Sequence, residues 1–425
     1  MSNDNIDAYL NIINDTLTNL QEDFDFLYEA ANKRPKEQDE EKIKLLEEIA
    51  QLKTHILTLE TNENMPLVVN KIESLDGELQ ARIEHLESKL QDAQFETLLL
   101  NSKVKSLQNE IIDLKGAIRV FLRIRHTGEL SNIEIQNNKI SILHLNRTHN
   151  FEYDRVFTPD DSQQEVYNEL LNIIESACDG YKICIFVYGQ TGSGKTYTMI
   201  GTETQPGIIY KTLNTLFSVK TQLEKDVNNN FKLEYSCIEI YNEEVIDLNM
   251  KNNHFSGKTI NLTSLEEAYD LITKTLSTRR TEKTNCNLQS SRSHLIFTLH
   301  IETKVNNETR VGTLCFIDLA GSERINQSQV EGMRLKETVN INKSLSSLGN
   351  VFMAILRKDS HIPYRNSKLT HQLQEYFTGK SRVVMILNIN SGVNQRNETI
   401  STLRFGAKVS ECKLGRVEKN ITKNL

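Results

Sequence analysis

The sequence predicts an α/β domain with a central, mostly parallel β-sheet flanked by helices, preceded by an α-helical coiled-coil stalk. Three observations predict it. A heptad stripe runs without a slip from Leu79 to Leu114, strand-like apolar runs begin just past Gly116, and a glycine-rich loop follows directly on one of those runs. Charge divides at the same place: residues 1–115 hold 12 Lys+Arg against 24 Asp+Glu, while the other 310 hold 38 against 33. An acidic arm therefore precedes a mildly basic body, and 425 residues is long for one compact domain.

Several classes are excluded at once. No apolar run approaches the roughly 18 residues that span a bilayer. The opening MSNDNIDAYL has neither the basic nor the apolar region of a signal peptide. Six cysteines (178, 184, 237, 286, 315 and 412) include no C-x-x-C pair, a pattern of reduced, buried thiols rather than of a disulfide framework or a zinc site.

Within the arm, Ile6, Leu10, Ile13, Leu17, Leu20, Phe24 and Leu27 form one helical stripe ended near Pro35. A second, Leu45 to Leu59, is broken at Pro66. Each could pack as an ordinary helix or as a coil. The third stripe is longer: its a positions hold Ile83, Leu90, Thr97, Val104 and Ile111, and d is Leu everywhere except Ala93. Mostly β-branched a with Leu at d favours two parallel strands. Arg82 would face a partner's Glu87, and Glu110 its Lys115, so homodimer and heterodimer both stay open.

The body opens with the β-rich Ile118–Ile124, a second strand expected over 151–157, and an amphipathic helix expected over 165–177. Lys182–Tyr188 is a continuous apolar run of the kind buried on both faces of a parallel sheet. Next comes Gly189, Gln190, Thr191, Gly192, Ser193, Gly194, Lys195 and Thr196, a full match to G-x-x-x-x-G-K-[ST]. Glycines let successive N–H groups turn toward phosphate oxygens, Lys195 reaches the β- and γ-phosphates, and the Thr196 hydroxyl ligates Mg²⁺. Val311–Asp318 is an apolar strand ending in an acid suited to anchor the same ion, and Gly321 can bring its N–H close to a γ-phosphate. Ser290, Ser291, Arg292, Ser293 and His294 supply hydroxyls and a guanidinium, a weak signal alone. The body thus reads as a P-loop nucleoside-triphosphatase.

The strings GQTGSGKTYTM (189–199), NLQSSRSH (287–294), DLAGSER (318–324), NINKSLSSLG (340–349) and HIPYRNSKLT (361–370), joined by EIYNEEVIDL (239–248), resemble the kinesin motor domain. They occur in kinesin order, and the similarity covers about 116–415. With the coil in front and LKGAIRVFLRIR (114–125) at the junction, the chain resembles the C-terminal-motor, kinesin-fourteen class. The resemblance implies roles. Ser290 would contact the γ-phosphate region and the attacking water, and Ser291 would ligate Mg²⁺. Arg292 would pair with Glu323 to position the water, and Asp318 would hold Mg²⁺ through water. Arg123 and Tyr197 would flank the adenine. Four positions depart from the family pattern: Arg125-His126 lacks the usual proline, and Ala117, Tyr210 and Asn249 replace the asparagine, proline and leucine of their strings. None touches phosphate chemistry.

A helix expected over 337–358 carries Ile341, Leu345, Leu348, Phe352 and Ile355 on one stripe. Lys343, Arg357 and Lys358 lie off it, with Arg365 and Lys368 just beyond. Such charges are ordinarily a solvated face; the family sets this segment against acidic tubulin, which makes Lys343, Arg365 and Lys368 the track-binding candidates. No long basic run or basic–aromatic interleaving suggests nucleic acid.

The expected organisation is acidic helical segments over 1–71, a dimerisation stalk and neck over 72–115, a motor domain over 116–415 and a tail over 416–425. The 16 residues past ETISTLRFGAKV (398–409) leave the N-terminal helix as the lever, which in this class implies minus-end motion. The expected activity is Mg²⁺-dependent, microtubule-stimulated ATP hydrolysis, in the cytoplasm, on the cytoskeleton, with spindle and nucleus as further sites open to the class. The competing reading is a non-hydrolysing microtubule-binding subunit of a motor heterodimer.

Overall fold

A computed structural model describes residues 65–425 apart from 115, 127–132, 250–257, 282–290, 306, 324–332, 416 and 424–425. The two shorter helical stripes of the arm lie outside these residues, as does Ser290. The chain divides into two units, Met1–Leu114 and Lys115–Leu425. Helix α1 (Met65–Leu114) belongs to the first. Its 50 residues amount to about 75 Å of axis at 1.5 Å per residue. Pro66 stands in the first turn, where its missing N–H costs nothing. Thr97 returns its hydroxyl to the Ala93 carbonyl at 2.7 Å, which meets the polar need of the one hydroxyl among the a positions.

The second unit is built on a ten-stranded sheet. Five strands form its parallel half: β1 (Ile118–Arg125), β5 (Arg155–Phe157), β6 (Lys182–Tyr188), β11 (Glu308–Asp318) and β12 (Ser381–Asn390), in the order β5-β1-β12-β6-β11. Beyond β11 the pairing turns antiparallel through β10 (His294–Val305), β7 (Asn230–Tyr241) and β8 (Glu244–Asp247). The short strands β9 (Ile260–Asn261) and β13 (Ile421–Lys423) pair antiparallel with β7 and β11. The sheet is therefore mixed, and the nucleotide loop stands on its parallel half.

The strand expected over 151–157 is two. β4 (Arg147–Glu152) closes a separate three-stranded sheet with β2 (Ile133–Gln136) and β3 (Lys139–His144). The chain then crosses to β5 at Asp154, whose carboxylate accepts from the Val120 N–H at 2.7 Å while its own N–H donates to the Val120 carbonyl at 3.1 Å. Asp154 thus spends both backbone and side chain on β1, which breaks the strand at that point.

Helix α2 (Gln163–Glu175) starts two residues before its expected bound because Ser162 and Glu165 form a capping box. α3 (Lys195–Met199) and α4 (Ile208–Leu223) follow β6, and α5 (Leu265–Thr281) precedes β10. α6 (Met333–Arg357), α7 (Lys368–Gln372) and α8 (Arg396–Ser410) cover the other face. Every second residue of the strands points there: Val120, Leu122 and Ile124 of β1, Cys184 and Phe186 of β6, and Met385 and Leu387 of β12 meet Leu348, Phe352 and Leu403. The Phe186 and Phe352 rings stack at 6.1 Å. Five described cysteines are buried, as expected of packing thiols. Among the described residues no helix is long and apolar enough to cross a membrane.

Candidate nucleotide site

The loop after β6 folds where it does because glycine allows it. Gly192 and Gly194 hold φ of 79° and 98°, in the left-handed region, and a side chain at Gly189 would enter the Asn388 carbonyl of β12. Gly194 ends the loop as the residue before α3. Lys195 is 6% exposed, and its ammonium donates to the carbonyls of Gly189 and Gln190 at 2.9 Å each. The cation is held against the loop it follows, with two neutral oxygens that an anion in the loop would outcompete. Ser193 returns its hydroxyl to Gln190 O at 2.8 Å, and Gln190 is buried with its side-chain oxygen making no hydrogen bond.

The acid at the end of β11 meets the loop. Thr196 Oγ1 donates to Asp318 Oδ2 at 2.7 Å, and Asp318 is fully buried. A hydroxyl and a carboxylate in contact are hard oxygen donors of the kind Mg²⁺ takes, so the pair fits the ion. The strand end is tied down from two sides. Gly321 N–H donates to Ser291 O at 2.8 Å and Ser322 N–H to Gly189 O at 3.1 Å. A side chain at Gly321 would displace the Glu323 carboxylate and the Thr191 hydroxyl from each other, so glycine serves close approach there rather than torsions.

Arg292 and Glu323 do not pair. Glu323 accepts from the Thr191 N–H at 2.8 Å and from the Thr191 hydroxyl, which places its charge on the phosphate loop. Arg292 Nη1 instead donates to Glu337 Oε2 at 2.8 Å, near the start of α6, and Tyr241 of β7 donates to the other oxygen of the same carboxylate. Burial and the Glu337 carboxylate together push the Tyr241 hydroxyl up to about 12. Each charge is met by a different neighbouring element: an N–H and a hydroxyl of the loop after β6 for Glu323, a half-buried carboxylate of α6 for Arg292. Tyr241 sits inside EIYNEEVIDL and Glu337 opens the helix expected over 337–358, but no spacing ties two residues 96 positions apart to one guanidinium.

On the base side, Arg123 is buried and donates to Gln163 at 2.7 Å and to Thr198 at 3.0 Å. Its guanidinium lies 5.2 Å from the centroid of the Tyr197 ring. Burial lowers its pKa, and nearby Tyr197 and Asp161 partly restore it. Tyr197 is half-buried, with its hydroxyl on Gln205. Arg123 therefore acts behind Tyr197. Arg125, given no role from the sequence, reaches the loop itself by donating to Gly192 O at 2.5 Å. The alternation of β1 predicts that 123 and 125 share a face, which was the available signal.

The basic candidates of the other face lie near one hairpin. Asn242 and Glu243, both with positive φ, turn β7 into β8. Glu243 accepts from Lys343 Nζ at 3.5 Å and from the Lys368 N–H at 3.2 Å, so one carboxylate links α6 to the start of α7. Arg365 is exposed in the short turn Tyr364–Asn366 just before α7.

The family model for the kinesin motor domain matches residues 103–412. The kinesin-like protein KIN-14N of Oryza sativa subsp. japonica is 38% identical over 78% of this chain and 48% of its own length. The kinesin-like protein KAR3 of Saccharomyces cerevisiae is 37% identical over 91% of this chain and 57% of its own. The chain thus spans about half the length of these relatives. Among solved structures, the C-terminal motor and motor homology domain of Kar3Vik1, fused to a synthetic heterodimeric coiled coil, matches with a TM-score of 0.66. It is 34% identical and covers 80% of this chain and 99% of that one. The phosphate loop on the parallel half of the mixed sheet and the strand end at Asp318 thus lie within the matched residues, and the chain belongs to the kinesin motor family, among relatives of the kinesin-14, Kar3-like group.

Proposed function

We propose that the chain is a microtubule-stimulated ATPase that converts ATP hydrolysis into minus-end-directed movement or force. The observation that carries this reading is the convergence of Lys195, Thr196, Asp318, Gly321 and Glu323 on one loop. Phosphoryl transfer asks a protein for positioning and charge stabilisation, and that is what these groups supply. Lys195 would leave its two carbonyls for the β- and γ-phosphates. Thr196, Ser291 and Asp318 would hold Mg²⁺, which when bound neutralises phosphate charge. Gly321 would give up the Ser291 carbonyl to turn its N–H to the γ-phosphate, while Ser290, Arg292 and Glu323 would order the attacking water. Gln190, Thr191, Gly192 and Ser193 would line the phosphates, and Tyr197, backed by Arg123, would stack on the base.

Lys343, Arg365 and Lys368 would meet the acidic tubulin surface, where exposed cations raise the rate of encounter. α1 would pair with a second chain, identical or not, as a dimerising lever. The expected site of action is the cytoskeleton, in cytoplasm or spindle. Minus-end direction rests on the resemblance to the kinesin-fourteen class and on α1 preceding the motor unit in the chain. Phosphate release with and without microtubules tests the chemistry. Lys195→Ala should reduce turnover by about a hundredfold or more, since one charge-stabilising donor contributes roughly 3–4 kcal/mol. Turnover within twofold of the parent would refute the site. On a surface coated with the chain, polarity-marked microtubules should glide plus end leading, and minus ends leading would refute the direction alone.

A further inference from the structure

His294 closes the SSRSH string, and the chemistry above gives it no task. It is 3% exposed, and both ring nitrogens have partners. The Ala320 backbone N–H, which can only donate, lies 3.0 Å from Nδ1, so Nδ1 is the acceptor. The ring proton therefore sits on Nε2, 2.7 Å from Ser344 Oγ. Ser344 in turn donates to the Ile341 carbonyl at 2.8 Å, which leaves its lone pair for the Nε2–H. Every role in the series is thereby assigned: Ala320 N–H to His294, His294 to Ser344, Ser344 to Ile341 O.

The series joins three elements. His294 opens β10, Ala320 stands between Asp318 and Gly321, and Ser344 lies in α6 beside Lys343. Ser344 is 2% exposed, so water cannot substitute for either partner. An imidazole fixed at both nitrogens is a rigid spacer, unlike a long aliphatic chain with several rotamers.

We propose that His294 is a positioning residue, a strut that passes displacement of α6 to the Ala320–Gly321 backbone and so couples track binding to phosphate chemistry. The proposal rests on the microtubule-stimulated ATPase reading. It goes further in assigning the coupling to one imidazole and one hydroxyl.

Three variants of the full chain separate the two ends. In His294→Asn the amide oxygen takes the place of Nδ1 and keeps the Ala320 acceptor, but nothing reaches Ser344. In His294→Gln the amide nitrogen takes the place of Nε2 and keeps Ser344, but the acceptor is lost. Ser344→Ala removes the far end alone. Each should lower the ratio of microtubule-saturated to basal turnover about threefold to tenfold, the factor one buried hydrogen bond supplies. The half-saturating microtubule concentration should stay within twofold, because neither residue reaches the surface. The His294→Asn, Ser344→Ala double variant should be no worse than either single, as one series requires. Unmoved ratios, or losses that multiply, overturn the strut.

Hydrogen exchange gives a readout independent of activity. Ser344→Ala should speed exchange at the Ala320 amide about fivefold, although Ser344 does not touch Ala320. Unchanged exchange overturns the strut even if the parent shows no stimulation. A parent without stimulation but with faster Ala320 exchange in the variant keeps the strut and refutes the functional reading instead.

Discussion

The pairing of Arg292 with Glu337 can be tested where the family pattern and the structure disagree. At 2.8 Å, two unit charges attract by about 6 kcal/mol at an effective dielectric constant of about 20. The side chains are 27% and 16% exposed, so desolvation and residual solvent contact cancel most of that attraction. A coupling of about 1.5–2 kcal/mol remains, within the usual range for contacting charged residues. Arg292→Ala, Glu337→Ala and Glu323→Ala, with the two double variants containing Arg292→Ala, form two cycles that share one side. The chain has no Trp, and 11 of its 13 Tyr lie beyond residue 115, so near-ultraviolet circular dichroism follows the second unit with little signal from the arm. For a unit of this size each kcal/mol moves the midpoint by about 2 °C. The Arg292–Glu337 cycle should show non-additivity of about 3–4 °C, and the Arg292–Glu323 cycle under 1 °C. The reverse ranking would refute the assignment and restore the expected pair.

Three further outcomes follow from other parts of the molecule. Stability should fall as pH rises from about 9 toward 12: burial pushes Cys412 up to about 11 and Tyr167 and Tyr241 up to about 12, from 9.0 and 10.0, so the unfolded chain ionises first and the contribution present below pH 9 is lost; urea midpoints at pH 8 and 10.5 check it. Gly312→Ala should cost about 3 kcal/mol, because the added carbon would enter the Ala177 carbonyl oxygen and lie 2.7 Å from its carbon, both backbone; an unchanged melting midpoint would contradict it. Charge reversal at Arg365 should weaken microtubule co-sedimentation about fivefold at low salt and less at high salt, since exposed charges are screened beyond about 8 Å at physiological ionic strength.

Much of this was legible in the sequence because local rules and tertiary demands agreed. The run Lys182–Tyr188 is apolar throughout because both faces of β6 are covered, and the loop after it could be read residue by residue because each glycine meets a steric need. Helix α6 was legible for the same reason, since its stripe of Leu345, Leu348, Phe352 and Ile355 packs on the sheet. The antiparallel half of the sheet was not, because the mixed polar and apolar residues of β10 and β7 mark neither their partners nor the direction of pairing, which depends on connections rather than on composition. Asp154 shows a different limit. In sequence it is one acid in a strand-like stretch, and only the Val120 N–H, 34 positions away, makes it a break.

The same distinction separates what could be known of the site. Groups whose proposed partner is the ligand are marked by residue type and spacing, so Lys195, Thr196 and Asp318 could be singled out from the chain alone. Groups whose partner is another side chain are not. Arg292 fits Glu323 or Glu337 equally well by charge, and the choice turns on Thr191, which engages Glu323, and on Tyr241, which holds Glu337 from the side away from Arg292. The observed and the expected pairing then differ by a few hydrogen bonds: those that hold Glu323 on Thr191 and Glu337 on Tyr241. A shift that frees Glu323 from Thr191 or Glu337 from Tyr241 would change the ranking, and both anchors stand on elements bearing on the proposed chemistry: the phosphate loop, and the hairpin whose tip touches Lys343 and Lys368. Contacts of comparable energy at the ends of different elements are what a switch requires, because a small difference in binding then decides between them.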